Sequence, residues 1–322
     1  MEARSGCGGG LPVIDLSQDE ETISRLIMDA CTTFGFFYIK NHGVPQDLVD
    51  NLMAESKRFF AKPEAFKNKI NMKRSGLQWR GYFALGDELT SGKPDHKEGL
   101  YFGENYPENH PFVLKKYAMH GENQYPSEDF PQYAAFVESY MEHLTELGHR
   151  ILRAIAVGLH LPEDYFRKLF CLPKPFTPFR IFMYPADPVR CHKDGTERWG
   201  VAEHTDYGFL TILKQDEVGG LEVENRNGEY ISAPPIPGTL VCNIGDCLEA
   251  WTKGLLKATP HRVRSSPTHD RISMPFFFDP AFAADMGDLM VGSTGIRTYG
   301  DYITEKVKRV FPELFQSSSS RL

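Results

Sequence analysis

The chain is poor in several features that would settle its class at once. It has six cysteines in 322 residues, and none forms a C-x-x-C pair. Cys7, Cys31, Cys171, Cys191, Cys242 and Cys247 are therefore read as reduced thiols rather than as a disulfide framework or a zinc site. No apolar run reaches the roughly 18 residues of a membrane span. Met1 to Gly10 is small and polar and lacks the pattern of a secretory signal. Positive charge is not in excess: 36 Lys+Arg against 43 Asp+Glu leave a formal net charge of −7. That balance speaks against general binding to nucleic acid or to anionic membranes. There are no internal repeats, and low complexity is confined to the serine tail. The expectation is a monomeric cytoplasmic protein without nucleic-acid or membrane partners. In a eukaryote the alternative is the peroxisome, because Ser320-Arg321-Leu322 resembles the S-K-L tripeptide.

What is present is ordinary globular material. Apolar residues make up 41% and charged residues 25%, and a chain this long buries a core without staples. The first half reads as a mixture. Leu11 to Leu16 is a short strand, and Ser17 and Asp19 are N-cap candidates for the next helix, which Gly35 ends. Phe36 to Lys40 is a strand, and His42 belongs to the turn leaving it. Helical spacing returns over Gln46 to Ala61 and, at length, from Tyr133 to near Leu159. Asn68 to Pro94 reads as a loop able to cover a pocket, and Lys97 to Gly103 as a strand. From Phe176 the period becomes that of strands. Eight short runs follow, with Asn227-Gly228 as a hairpin signal. The spacing predicts an α+β chain with a mostly β core, a double-sheet jelly roll. The expected division is an N-terminal α/β lobe with a long supporting helix over 1–175, the core over 176–298, and a C-terminal helix and tail over 299–322.

His204-Thr205-Asp206 lies in one of those runs, Val201 to Asp206. On a strand, alternation places both side chains on one face. An imidazole and a carboxylate side by side are two thirds of the two-His-one-carboxylate iron arrangement, which keeps coordination positions open. His261, in Thr259-Pro260-His261-Arg262-Val263, is the candidate third ligand. Ten residues on, Arg271 and Ser273 share a strand face with Pro275 and Phe277. A guanidinium and a hydroxyl there suit the far carboxylate of a diacid. The spacing alone is not specific: His192-Lys193-Asp194 repeats it among charged residues and reads as a solvated loop. What distinguishes the copy at His204 is the apolar strand after it, the third ligand and the anion grip.

Together, His204-x-Asp206, His261 and Arg271-x-Ser273 resemble the motifs of the iron(II)/2-oxoglutarate-dependent dioxygenases. The likeness is to the branch with isopenicillin N synthase, the flavonoid and gibberellin oxidases and hyoscyamine 6-hydroxylase. It covers most of the chain and includes Phe34 to Val44, Gly219 to Val223 and Asn243 to Asp246. The resemblance implies a distorted double-stranded β-helix with N-terminal helices outside. It implies His204, Asp206 and His261 as Fe(II) ligands, Arg271 and Ser273 as the grip on 2-oxoglutarate, Tyr184 as a further co-substrate contact, and ascorbate as a candidate reductant. Plant relatives often carry Asn two residues before that tyrosine, where this chain has Phe182. Phe277, Tyr101 and Tyr82 are candidate substrate contacts. The implied reaction oxidises a small organic molecule with O2, by hydroxylation or desaturation, and releases succinate and CO2. Two alternatives stay open: an iron oxidase that does not use 2-oxoglutarate, as in isopenicillin N synthase, and a non-catalytic binding protein of the same fold.

Overall fold

A computed structural model describes residues 10–90, 92–192, 194–287 and 297–311. The first strand, β1 (Val13–Asp15), lies parallel to β2 (Phe36–Lys40), and α1 (Glu20–Thr33) joins them. Asp19 caps α1 by accepting a hydrogen bond from the Thr22 N–H at 2.9 Å. The helix buries Ile23, Ile27, Ala30 and Cys31. Gly35 then takes φ +66°, and a Cβ there would lie 2.1 Å from the Lys257 carbonyl oxygen, so only glycine fits the exit. After β2 come α2 (Gln46–Phe60) and α3 (Glu64–Lys67).

Asn68 to Pro94 is more structured than a plain loop. It holds short 3-10 turns, β3 (Gly81–Phe83), and the pair β4 (Leu89–Thr90) and β5 (Lys93–Pro94). Then follow β6 (Glu98–Phe102), the single turn α4 (Pro111–Leu114), the long α5 (Tyr133–Gly158) and α6 (Tyr165–Phe170). The second half supplies β7 (Phe179–Tyr184), β8 (Val201–His204), β9 (Leu210–Gln215), β10 (Leu221–Glu224), β11 (Tyr230–Ser232), β12 (Thr239–Ile244), β13 (His261–Val263) and β14 (Arg271–Phe278). Between and after them lie α7 (Asp246–Trp251) and α8 (Tyr299–Val310). The eight expected strand runs are all present. The turn at Asn227-Gly228 joins β10 to β11, with Gly228 at φ +77°.

The strands form an eight-stranded sheet, β1-β2-β12-β9-β14-β7-β6-β3, and a four-stranded sheet, β11-β10-β13-β8. The mixed α/β arrangement with two sheets is consistent with a jelly-roll core. Four strands of the large sheet come from the first 175 residues, so β2 pairs with β12 and β6 with β7 across the expected boundary. The helix α5 packs against α1 and α2 and reaches β14. Gly148 makes that crossing close: a Cβ there would sit 2.4 Å from the Phe278 ring.

Alternation along β14 sorts its side chains. Ile272, Met274, Phe276 and Phe278 are fully buried in the core, while Arg271, Ser273, Pro275 and Phe277 line a cavity. On β7, Arg180, Phe182 and Tyr184 line the same cavity. Ile303, Val307 and Val310 of α8, with Phe311, form another wall. No described helix is long and apolar enough to cross a membrane. The described cysteines, Cys31, Cys171, Cys191, Cys242 and Cys247, are unpaired. Ser320-Arg321-Leu322 and Cys7 lie outside the described residues.

Candidate active site

The cavity spans about 1260 Å³ with the open solvent at its mouth included. His204, Asp206 and His261 meet in its wall. His261 of β13 stands directly opposite His204 of β8 in the small sheet, which brings the two ring centroids to 4.3 Å. The expected strand over Val201 to Asp206 is shorter than its sequence suggests, because β8 ends at His204. Asp206 is therefore placed by a turn and not by alternation. The turn is fixed at both ends: the Asp246 N–H donates to the Asp206 carbonyl at 2.7 Å, and the Phe209 N–H to Asp279 at 3.0 Å. Gly208 allows this, since a Cβ there would run into the Asp279 carboxylate.

The donor atoms are pre-aimed. Asp206 Oδ2 accepts from the Asn243 amide at 2.7 Å and from the Thr211 hydroxyl at 2.5 Å. Its Oδ1 faces the two imidazoles, 3.8 Å from His204 Nε2 and 3.7 Å from His261 Nε2. Each Nδ1 lies against a backbone carbonyl, that of Ala202 at 2.8 Å and that of Thr259 at 3.1 Å. A carbonyl can only accept, so the proton sits on Nδ1 and the Nε2 lone pair points inward. Burial, then the neighbouring His261, pushes the His204 pKa down to about 4, which keeps the ring neutral at pH 7. Burial works against ionised Asp206, but the two histidines and the hydrogen bonds from Asn243 and Thr211 outweigh it and hold the carboxyl below its usual range. Two imidazoles and one carboxylate, all within 4.8 Å of one another, can hold a divalent metal ion.

Beside them, Arg271 is wholly buried. Its Nη2 reaches Gln215 Oε1 at 3.4 Å, while Nε and Nη1 have no partner. Leaving buried donors of a cation unmet costs several kcal/mol in general, so the geometry asks for an anion. Its guanidinium lies over the Tyr184 ring at 4.9 Å, and Ser273 and Tyr184 line the cavity with it.

Phe277 and Tyr101 also line the cavity. Tyr82 does not: it is buried against Phe59, and its hydroxyl donates to Glu98 at 2.5 Å. The ring-stacking face that would have marked it as a pocket residue is turned into the core. His42 accepts from the Val44 N–H and so serves its turn, as expected. Asp194 of the second H-x-D copy is exposed and holds Thr196, again as expected. Thr211, Asn243 and Arg180 were not legible as site residues from motif spacing. Arg180 could have been found by stepping back two from Phe182 on the face shared with Tyr184.

Asp279, under the turn, has its carboxyl pushed up to about 7 by burial, although Tyr299 and the Phe209 N–H both donate to it. The folded value lies above an unfolded value of about 4. Its stabilising contribution is thus complete below about pH 4 and is lost as pH rises toward 7, by at most about 4 kcal/mol. In urea titrations across that window, the Asp279→Asn variant should show a flatter decline of stability than the parent chain. Parallel slopes would mean that Asp279 does not titrate there.

Comparison with known proteins agrees with this geometry. Residues 11–128 match the family described as non-haem dioxygenase in morphine synthesis N-terminal, and residues 178–280 the 2OG-Fe(II) oxygenase superfamily. A Dictyostelium discoideum protein named "probable iron/ascorbate oxidoreductase" is 40% identical, over 94% of this chain and 95% of its own. A homoarginine-6-hydroxylase of Oryza sativa subsp. japonica is 36% identical, over 85% and 87%. The crystal structure of a full-length Neurospora crassa protein in complex with alpha-KG and thymine superposes with a TM-score of 0.76 at 28% identity, covering 95% of this chain and 99% of that one.

Proposed function

Since this chain belongs to the 2OG-Fe(II) oxygenase superfamily and is an iron- and 2-oxoglutarate-dependent dioxygenase, we propose that His204, Asp206 and His261 hold its Fe(II) and that it hydroxylates a small organic molecule. The observation that carries the reading is the convergence of two Nε2 atoms and one carboxylate oxygen beside a buried guanidinium with unmet donors. With 2-oxoglutarate and O2, iron supplies oxidation of a C–H bond to C–OH, with succinate and CO2 as the other products. The chain's own residues do the rest. Thr211 and Asn243 orient Asp206, and the carbonyls of Ala202 and Thr259 orient the imidazoles. Arg271 and Ser273 bind the far carboxylate of 2-oxoglutarate, with Tyr184 beside them. The apolar wall from α8 and Phe311 excludes water from the reacting carbon.

The substrate class is supported by the relatives: the rice enzyme is named for homoarginine, and the Neurospora structure holds thymine, both small polar molecules. Ascorbate serves as the reductant that keeps iron ferrous in an assay, in keeping with the Dictyostelium name. The test is release of labelled CO2 from 1-labelled 2-oxoglutarate, with and without iron. Release that needs iron supports the reading. Substrate-dependent O2 uptake that needs no 2-oxoglutarate would transfer the chain to the 2-oxoglutarate-independent oxidases.

A further inference from the structure

The cavity holds a second guanidinium that the reaction above does not use. Arg180 lies on β7, four residues from Tyr184 and on the same face, which separates their backbones by roughly 13 Å. Its guanidinium is held between two rings, 4.4 Å from the Tyr101 centroid and 4.8 Å from that of Phe277. Rings on its faces leave the N–H edge, the edge that binds carboxylates in a two-point fork. That edge is unspent. Among the described residues the guanidinium makes no hydrogen bond, and its Nε is buried without a partner. The nearest acid oxygen, Glu88 Oε1, is 3.6 Å away and already accepts from the Tyr101 hydroxyl at 2.9 Å. The other Glu88 oxygen lies 2.9 Å from Lys97 Nζ, and Lys97 also bonds Asp95 at 2.6 Å. Lys97 is shared by Glu88 and Asp95, so the cluster's charges balance with Arg180 counted, but no N–H of Arg180 has found an acceptor, and the side chain lines the cavity.

The co-substrate cannot supply the missing acceptor. If, as proposed above, 2-oxoglutarate meets the metal with one end and Arg271 with the other, neither carboxylate is left for Arg180. We infer that Arg180 receives a carboxylate of the molecule being oxidised, which makes the substrate class a small carboxylic acid. This rests on the dioxygenase reading and adds to it. Phe277 and Tyr101 then act by holding the guanidinium edge-on, which gives Phe277 a specificity role through Arg180 and not only as an apolar wall.

The experiment uses the full chain loaded with Mn(II) and 2-oxoglutarate, which binds without turning over. L-Homoarginine, hexanoate and benzoate are titrated calorimetrically, each beside its carboxamide. At least one acid should bind, with its carboxamide about 30-fold weaker or worse, as loss of a charge-assisted pair implies. Arg180→Gln should erase the difference between acid and amide, and Arg180→Lys should restore part of it, since it keeps the charge but not the fork. Equal affinity for acid and amide, no binding of any acid to the parent chain, or discrimination that survives Arg180→Gln would each overturn the proposal. A purely structural Arg180 would lower the melting temperature and leave acid–amide discrimination in place. Failure of the underlying reading shows separately, as no uptake of Mn(II) and 2-oxoglutarate by the parent chain.

Discussion

Asp206→Ala should abolish 2-oxoglutarate turnover. Asp206 is the single carboxylate of its cluster, and its loss leaves only two imidazoles. Its removal also orphans the Thr211 hydroxyl and the Asn243 amide, both of which point at the lost carboxylate. Loss of a supporting hydrogen bond alone typically costs about 10–100-fold in metal affinity, so loss of the ligand should exceed that range. Succinate formation at saturating iron and Mn(II) affinity by titration read the two effects separately. Thr211→Val should give the milder result, weakened metal binding with turnover recovered at high metal. His192→Ala is the control, because its H-x-D copy sits in a loop with an exposed Asp194. An Asp206→Ala chain that still releases CO2 with iron would remove His204, Asp206 and His261 from the reaction.

Arg271→Gln should raise the 2-oxoglutarate requirement by about 100-fold, the equivalent of two charge-assisted hydrogen bonds at roughly 1.5 kcal/mol each. That factor is a floor. Arg271 is wholly buried, and the only protein hydrogen bond of its guanidinium among the described residues is the long one to Gln215, so on the proposed reading its binding free energy goes to the co-substrate. Arg271→Lys should fall between, with a point charge in place of a two-point fork. The readout is succinate rate against 2-oxoglutarate concentration. If half-saturation stays put in Arg271→Gln while the maximal rate falls, Arg271 acts on something other than this diacid.

How far the sequence reached depends on the kind of signal. Period changes placed the longer elements, because the spacing of buried side chains is set locally: α5 follows from Tyr133, Val137, Tyr140 and Leu144, and β14 from alternating Ile272, Met274 and Phe276. The cluster proposed to hold the metal was legible because its residues are chemically unusual together. The reason given for its first pair was the wrong one. His204 and Asp206 converge through a turn pinned by Asp246 and Asp279, contacts some 40 and 70 residues away in the chain that no local pattern reports. Tyr82 failed for a related reason. Its segment borders the cavity, but only alternation about β3 decides which way each ring faces, and Tyr82 turns to Phe59. Arg180 carries no motif. Its meaning lies in the partners it lacks.

The hydrogen bonds on Asp206 have one more consequence. With Oδ2 occupied by Thr211 and Asn243, Oδ1 is the oxygen left to face a metal, so on the proposed reading Asp206 would hold iron through one oxygen. Denticity counts coordination sites. A carboxylate that chelated through both oxygens would take a fourth position on a six-coordinate ion and leave two for a chelating co-substrate and O2, one too few. If Asp206 is a ligand as proposed, Thr211 and Asn243 would act on oxygen at one remove: by occupying one oxygen of Asp206 they would leave a position for O2.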